Sequence, residues 1–185
     1  MRQRPVRIVC VMSAYRLVSA AVAAASFCLV IFAAATPAAA NGNLVAFNGD
    51  VSPGTIVVRT NERRLYLVLG QGRAVVYPVG VGRAGQQWSG RAIVESKRIR
   101  PAWAPPPDIK RENPRLPDVI AGGAPNNPMG VAALVLSDGE YAIHGTNRPG
   151  SVGRFVSHGC IRMYNQDITD LYARVRVGTQ VIVIR

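Results

Sequence analysis

Short apolar runs broken by turn residues dominate the chain from Thr55 onward. Thr55-Ile56-Val57-Val58-Arg59-Thr60, Leu65-Tyr66-Leu67-Val68-Leu69 and Ala74-Val75-Val76-Tyr77-Pro78-Val79 are rich in β-branched and aromatic residues. Asn61-Glu62-Arg63 and Gly70-Gln71-Gly72 separate them at hairpin spacing, so the three runs predict consecutive strands. Similar runs predict strands at 92–95, 132–136, 141–144 and 180–184. One segment has a helical period instead. Ile168, Leu171, Tyr172 and Val175 share a face, Asn165 stands where a cap is needed, and Gly178 supplies a stop. Residues 101–128 are too rich in proline for regular structure and predict a long loop, either an ordered lid or a mobile flap. The expected class is mainly β, a sandwich or partial barrel with one principal C-terminal helix and a long proline-rich loop. Residues 41–54 read as a short lead-in and 55–185 as a single domain.

The first forty residues follow a different pattern. Arg2, Arg4, Arg7 and Arg16 precede a run without charge, Leu17 to Phe32, and Ala38 and Ala40 then form an Ala-x-Ala signal behind Pro37. This arrangement predicts a secretory signal peptide over residues 1–40, cut between Ala40 and Asn41. The rival reading is an uncleaved membrane anchor over Leu17–Ala35, 19 residues. Either way the domain is exported to the cell envelope, the periplasm, and membrane contact is expected only if the segment is retained.

Export changes the meaning of the charge and of the cysteines. The full chain of 185 residues carries 22 Lys and Arg against 10 Asp and Glu, a net +12, and without residues 1–40 the balance is +8 on 145 residues. In an exported protein that charge points away from nucleic acid and toward anionic envelope polymers. Removal of Cys10 and Cys28 leaves Cys160 alone in a compartment where cysteines normally pair. A lone exported thiol is a liability unless its chemistry is used.

The only two histidines, His144 and His158, both fall within sixteen residues of Cys160. An imidazole beside a thiol favours the thiolate and can pass its proton to a leaving amine, so this set is the minimum for acyl transfer. Gly159 precedes the cysteine in Ser157-His158-Gly159-Cys160, and without a Cβ it lets the backbone turn sharply and aim N–H groups at one point. A strand end carries His144 across from another element, which favours it as the base over His158. Two bland alternatives compete: an inert packed thiol, and a His144–His158–Cys160 zinc site. Gly80-Val81-Gly82-Arg83-Ala84-Gly85 matches the dinucleotide fingerprint by letter, but no helix follows, so a tight bend is expected there.

Tyr141-Ala142-Ile143-His144-Gly145-Thr146-Asn147 with Ser157-His158-Gly159-Cys160-Ile161-Arg162-Met163 resembles the signature of the L,D-transpeptidase catalytic domain, YkuD type. Asn127-Pro128-Met129-Gly130 and the stretch Lys97 to Trp103 extend the likeness, whereas Trp88-Ser89-Gly90 departs from the Thr-Pro-x-Gly often found there. The resemblance implies a predominantly β fold, Cys160 as nucleophile and His144 as general base oriented by the Gly145 carbonyl. It further implies that His158, Gly159 and Cys160 offer backbone donors to an oxyanion, and that Arg162 and Ser157 line a site for a peptide carboxylate. The implied substrates are peptidoglycan stem peptides, with another stem or an outer-membrane lipoprotein as amine acceptor, and neither metal nor cofactor takes part. The readings from other classes are a non-catalytic wall-binding protein and a zinc-dependent wall amidase.

Overall fold

The computed structural model describes residues 42–137 and 141–185, so the segment read as a signal peptide lies outside the described residues. In chain order the elements are β1 (Asn43–Ala46), β2 (Ile56–Arg59), β3 (Arg64–Gly70), β4 (Arg73–Pro78), β5 (Val81–Gly82), β6 (Gly90–Ile99), α1 (Pro107–Glu112), β7 (Ala132–Leu136), β8 (Ala142–His144), β9 (Phe155–Ser157), β10 (Ile161–Arg162), α2 (Asn165–Arg174) and β11 (Gln180–Ile184). The three predicted hairpin strands form as β2, β3 and β4, paired antiparallel in that order. Among the described residues no helix is long and apolar enough to cross a membrane.

A bent strand joins the two halves of the fold. The first residues of β6 pair with β11, Val183 opposite Gly90 and Gln180 opposite Ile93. From Val94 onward β6 pairs with β7 instead, with a register slip between Val94 and Ser96. A slip of this kind bends a strand and increases its twist, which lets one strand serve two sheets. The full order is β1-β4-β3-β2-β11-β6-β7-β8-β10, with β5 and β9 as a separate pair. The sheet is open at β1 and β10, so among the described residues the fold is sheet-rich with one main helix and no closed barrel. Alternate residues of the strands, among them Ile56, Leu65, Leu134, Ile143 and Ile161, are buried in the main core. Ile168 and Leu171 of α2 complete it against β7 and β8.

Four local details go beyond the sequence expectation. Asn165 is the first residue of α2, behind Tyr164, and its side chain makes no cap bond. Its Oδ1 instead accepts from Thr146 N at 2.9 Å and Val131 N at 3.4 Å, tying the helix start to the segments that flank β7 and β8. The C-terminal carbonyls of α2 are met by Lys97, whose Nζ donates to Tyr172 O at 2.7 Å and Val175 O at 2.6 Å. Within the lead-in, β1 pairs with β4, and Phe47 packs into a small cluster with Val57, Val68 and Ala74. The proline-rich segment is ordered and holds the one-and-a-half-turn helix α1, which Pro107 can start because the first turn needs no N–H donors.

Two devices close that segment into a lid. Trp103 and Ile120 exchange backbone hydrogen bonds of 2.9 and 2.8 Å. The buried Asn127 donates from Nδ2 to Pro101 O and Ala121 O, both at 2.9 Å, and accepts from Met129 N at 2.9 Å. The start and end of the loop are thereby fastened to one side chain.

Asp167, 2% exposed at the start of α2, generates a stability prediction. Burial, with help from neighbouring Asp170, raises its carboxyl to about 6 from an ordinary 3.8. A raised native value means that the contribution of this group is present below the unfolded value and is lost as pH rises through about 6. Asp167→Asn should therefore raise the melting temperature by roughly 3–6 °C at pH 8 and bring no gain at pH 4. Melting curves at both pH values check this; an equal shift at both would mean that charge is not the cause.

Candidate active site

The parallel pairing of β10 with β8 brings the chemistry together. Ile161 lies opposite Ile143 and Arg162 opposite His144. Ile143 and Ile161 are buried in the core, so strand alternation turns His144, Arg162 and Cys160 to the other face. That face forms one wall of a cavity of about 500 Å³. Trp103 and Ile109 from the lid, with Met129 just after it, also line the cavity.

His144 is buried, and its Nδ1 lies 2.6 Å from Gly145 O. A carbonyl only accepts, so Nδ1 carries the proton and Nε2 is left with the lone pair. Burial first, and the Arg162 charge second, push the imidazole down to about 4, against the opposing pull of the Gly145 and Pro128 carbonyls. The ring is therefore neutral at ordinary pH, as a proton acceptor must be.

Arg162 lines the same cavity, and its backbone exchanges two hydrogen bonds of 2.8 Å with Gly80. Its Nε is buried and has no hydrogen-bond partner among the described residues. Burial holds the guanidinium below its ordinary value, and Cys160 pulls in the other direction. Guanidinium stays charged in proteins, so the cavity has a cation at its wall.

The turn from Ser157 to Cys160 closes on itself. Ser157, 1% exposed, donates from Oγ to Cys160 O at 2.6 Å and accepts from Gly159 N at 3.1 Å. Ser157 lines the cavity, as the sequence leads one to expect, while its hydroxyl holds the turn and engages the Gly159 N–H. Gly159 has φ +117°, and a Cβ there would fall 2.2 Å from the Tyr141 ring, so no other residue fits.

His158 is held at the rim of the cavity. Its Nε2 is 2.9 Å from an Arg83 guanidinium nitrogen and 3.1 Å from Glu112 Oε2, and Arg83 also pairs with Glu112. Glu112 belongs to α1, so this cluster joins the lid to the turn before Cys160. A zinc site built from His144, His158 and Cys160 would place the metal beside the Arg83 cation, and among the described residues no group of metal-ligating side chains is assembled. The Gly80–Gly85 letters fold as β5 and a turn into β6, without the helix N-terminus that a dinucleotide needs.

Sequence reasoning missed Trp88, Tyr141, Arg83 and Glu112. Trp88 and Tyr141 stack with centroids 4.9 Å apart and planes 6° apart, both against Gly159 of the turn, and Tyr141 also lines the cavity. The only sequence signal for Trp88 was its place in the segment that departs from the family pattern. Arg83 and Glu112 are 29 residues apart and carried none.

Comparisons with known proteins agree with this architecture. Residues 53–183 match the YkuD family, described as the L,D-transpeptidase catalytic domain. The probable L,D-transpeptidase ErfK/SrfK of Escherichia coli (strain K12) is 41% identical over 136 residues, which is 70% of this chain and 43% of that protein. The chain thus spans less than half the length of that relative. The crystal structure of a probable carnitine operon oxidoreductase from Brucella melitensis is 38% identical, with TM-score 0.51 over 77% of this chain and 92% of that one. The catalytic domain of the E. faecium L,D-transpeptidase acylated by ertapenem shares the fold at 17% identity, with TM-score 0.55 over 74% of this chain and all of that one. The chain belongs to the L,D-transpeptidase catalytic domain family of YkuD type.

Proposed function

We propose that this protein is an envelope L,D-transpeptidase that works through a cysteine thioester. The observation that carries the reading is the neutral, buried His144 sharing one strand face and one cavity with Cys160. The Cys160 sulfur attacks the carbonyl of the L-centred third residue of a stem tetrapeptide, and the thiol proton passes to His144 Nε2. A carbon–sulfur bond forms, the carbonyl electrons move onto oxygen, and the collapse of that oxyanion breaks the peptide bond. The leaving D-alanine amine takes the proton from His144. An acceptor amine then attacks the thioester, gives its proton to His144 and releases the thiol. Backbone donors of the His158–Gly159–Cys160 turn receive the oxyanion, with Cys160 N–H foremost because Gly159 N–H is bonded to Ser157 Oγ.

Arg162 holds a carboxylate of the stem. Support comes from its unpartnered buried Nε and its place on the cavity wall. Exchange of the Ser157 bonds would let that side chain join it. The acceptor is an amine of a second stem, giving a 3→3 cross-link, or of an outer-membrane lipoprotein. The reaction belongs outside the inner membrane, where these polymers are, and the signal segment over residues 1–40 would bring the domain there. The acceptor question is answered by muropeptide analysis of sacculi incubated with the purified protein. New 3→3 dimers with loss of D-alanine are expected from sacculi alone, or stem–lipoprotein adducts once outer-membrane lipoprotein is added; sacculi left unchanged in both mixtures, or cleaved at the glycan–peptide amide, would overturn the reading in favour of a wall binder or an amidase.

The two histidines should separate cleanly. His144→Ala should lower acyl transfer roughly 10²-fold or more at little cost in melting temperature. His158→Ala retains its backbone donor but loses the Arg83 and Glu112 contacts, so its main effect should be a lowered melting temperature with transfer largely kept. Rate and melting curves for both variants check this, and the opposite pattern would exchange their roles. The base is neutral above its native value, so transfer by the parent protein should persist as pH falls below 6.5 and be lost only near about 4. An acid limb near 6.5 would mean that His144 is not the group that titrates.

A further inference from the structure

The packing behind the Ser157–Cys160 turn bears on how that turn is aimed. Trp88 Nε1 donates to Gly159 O at 3.1 Å. The indole lies flat on Tyr141, and the Tyr141 ring occupies the space in which any Gly159 side chain would stand. Gly159 is therefore held on both counts, by an aromatic wall against its Cα and by a hydrogen bond on its carbonyl. Both rings rest against the main hydrophobic core.

The peptide bond between Gly159 and Cys160 is planar and trans, so its C=O and N–H point in opposite directions. Fixing one fixes the other. With the carbonyl held toward an indole that rests on the core, the Cys160 N–H is turned away from the core. We infer that Trp88 is a positioning residue for catalysis: its indole N–H grips the Gly159 carbonyl and thereby aims the Cys160 N–H at the oxyanion. The role rests on the thioester reading above. It also gives a physical meaning to the segment in which this chain departs from its family. The donor that stabilises the oxyanion is on the backbone, and a backbone donor is only as well aimed as the far side of its own peptide plane.

The test compares two reactions of the same thiol in Trp88→Phe, which keeps a ring on Tyr141 and removes the N–H. Acylation by p-nitrophenyl acetate passes through an oxyanion whatever the natural substrate is. Alkylation by iodoacetamide displaces iodide at a saturated carbon and forms none. Trp88→Phe should slow acylation roughly 10- to 100-fold, short of or equal to the loss of a whole oxyanion donor, with KM and the alkylation rate each within about threefold of the parent. Equal slowing of both reactions would reduce Trp88 to a structural support, and acylation at the parent rate would overturn the inference outright. Should Trp88→Phe fail to fold, the benzothiophene isostere at position 88, compared with native Trp88 in the same Trp103→Phe background so that the altered cavity wall cancels, removes the N–H at constant shape and reads the same bond. Failure of the transpeptidase reading appears elsewhere, as a parent protein that reacts with p-nitrophenyl acetate but never with a stem tetrapeptide.

Discussion

The parallel pairing of β8 with β10 is the constraint from which the site follows. Each strand is two or three residues long, and each has an isoleucine buried in the core at the paired position. Burial of Ile143 and Ile161 fixes the register, since a slip by one residue would turn the isoleucines outward and the polar groups inward. With the register fixed, His144 and Arg162 stand side by side, and Cys160 sits at the entry to β10. Hydrophobic burial on one face of two short strands thus sets the meeting of His144, Arg162 and Cys160 on the other. The flanking segments reinforce it: Asn165 Oδ1 ties Val131 and Thr146 to the start of α2, and Met163 N donates to His144 O at 2.8 Å.

Electrostatics and enclosure act on the same groups. Burial and the Arg162 charge keep His144 neutral, and the Gly145 carbonyl keeps its proton on Nδ1. The lid also lines the cavity, and its two ends are fastened by Asn127 while Glu112 meets Arg83 and His158 at the rim. The rim pairs are exposed and individually weak, so their combined geometry matters more than any one of them.

Much of this was legible in the sequence because it depends on local rules. The strand runs, the helix over 165–174 and the proline-rich loop all follow from period and turn chemistry, and the cluster of Cys160 with both histidines is visible as spacing. What was not legible depends on tertiary contacts. Asn165 looks like a cap by position and becomes a clasp because Thr146 and Val131 lie beside it. The strand β1 is four residues long with its Leu44 exposed, so it has no apolar alternation to read. Proline density predicted a loop for 101–128, yet proline is also suited to the first turn of a helix, and α1 uses it there. Trp88 could be noticed in the sequence, but its grip on Gly159 exists only because β6 enters the fold behind the turn.

The central claim is that Cys160 carries the acyl group, and the most direct measurement is the intact mass of the protein after brief exposure to a stem tetrapeptide. The account predicts a gain equal to the stem tripeptide acyl group, with D-alanine released. Fragmentation should assign the adduct to Cys160, and Cys160→Ser should lack it. A tetrapeptide that is processed while the Cys160 thiol stays unmodified, or an adduct on any other residue, would contradict it.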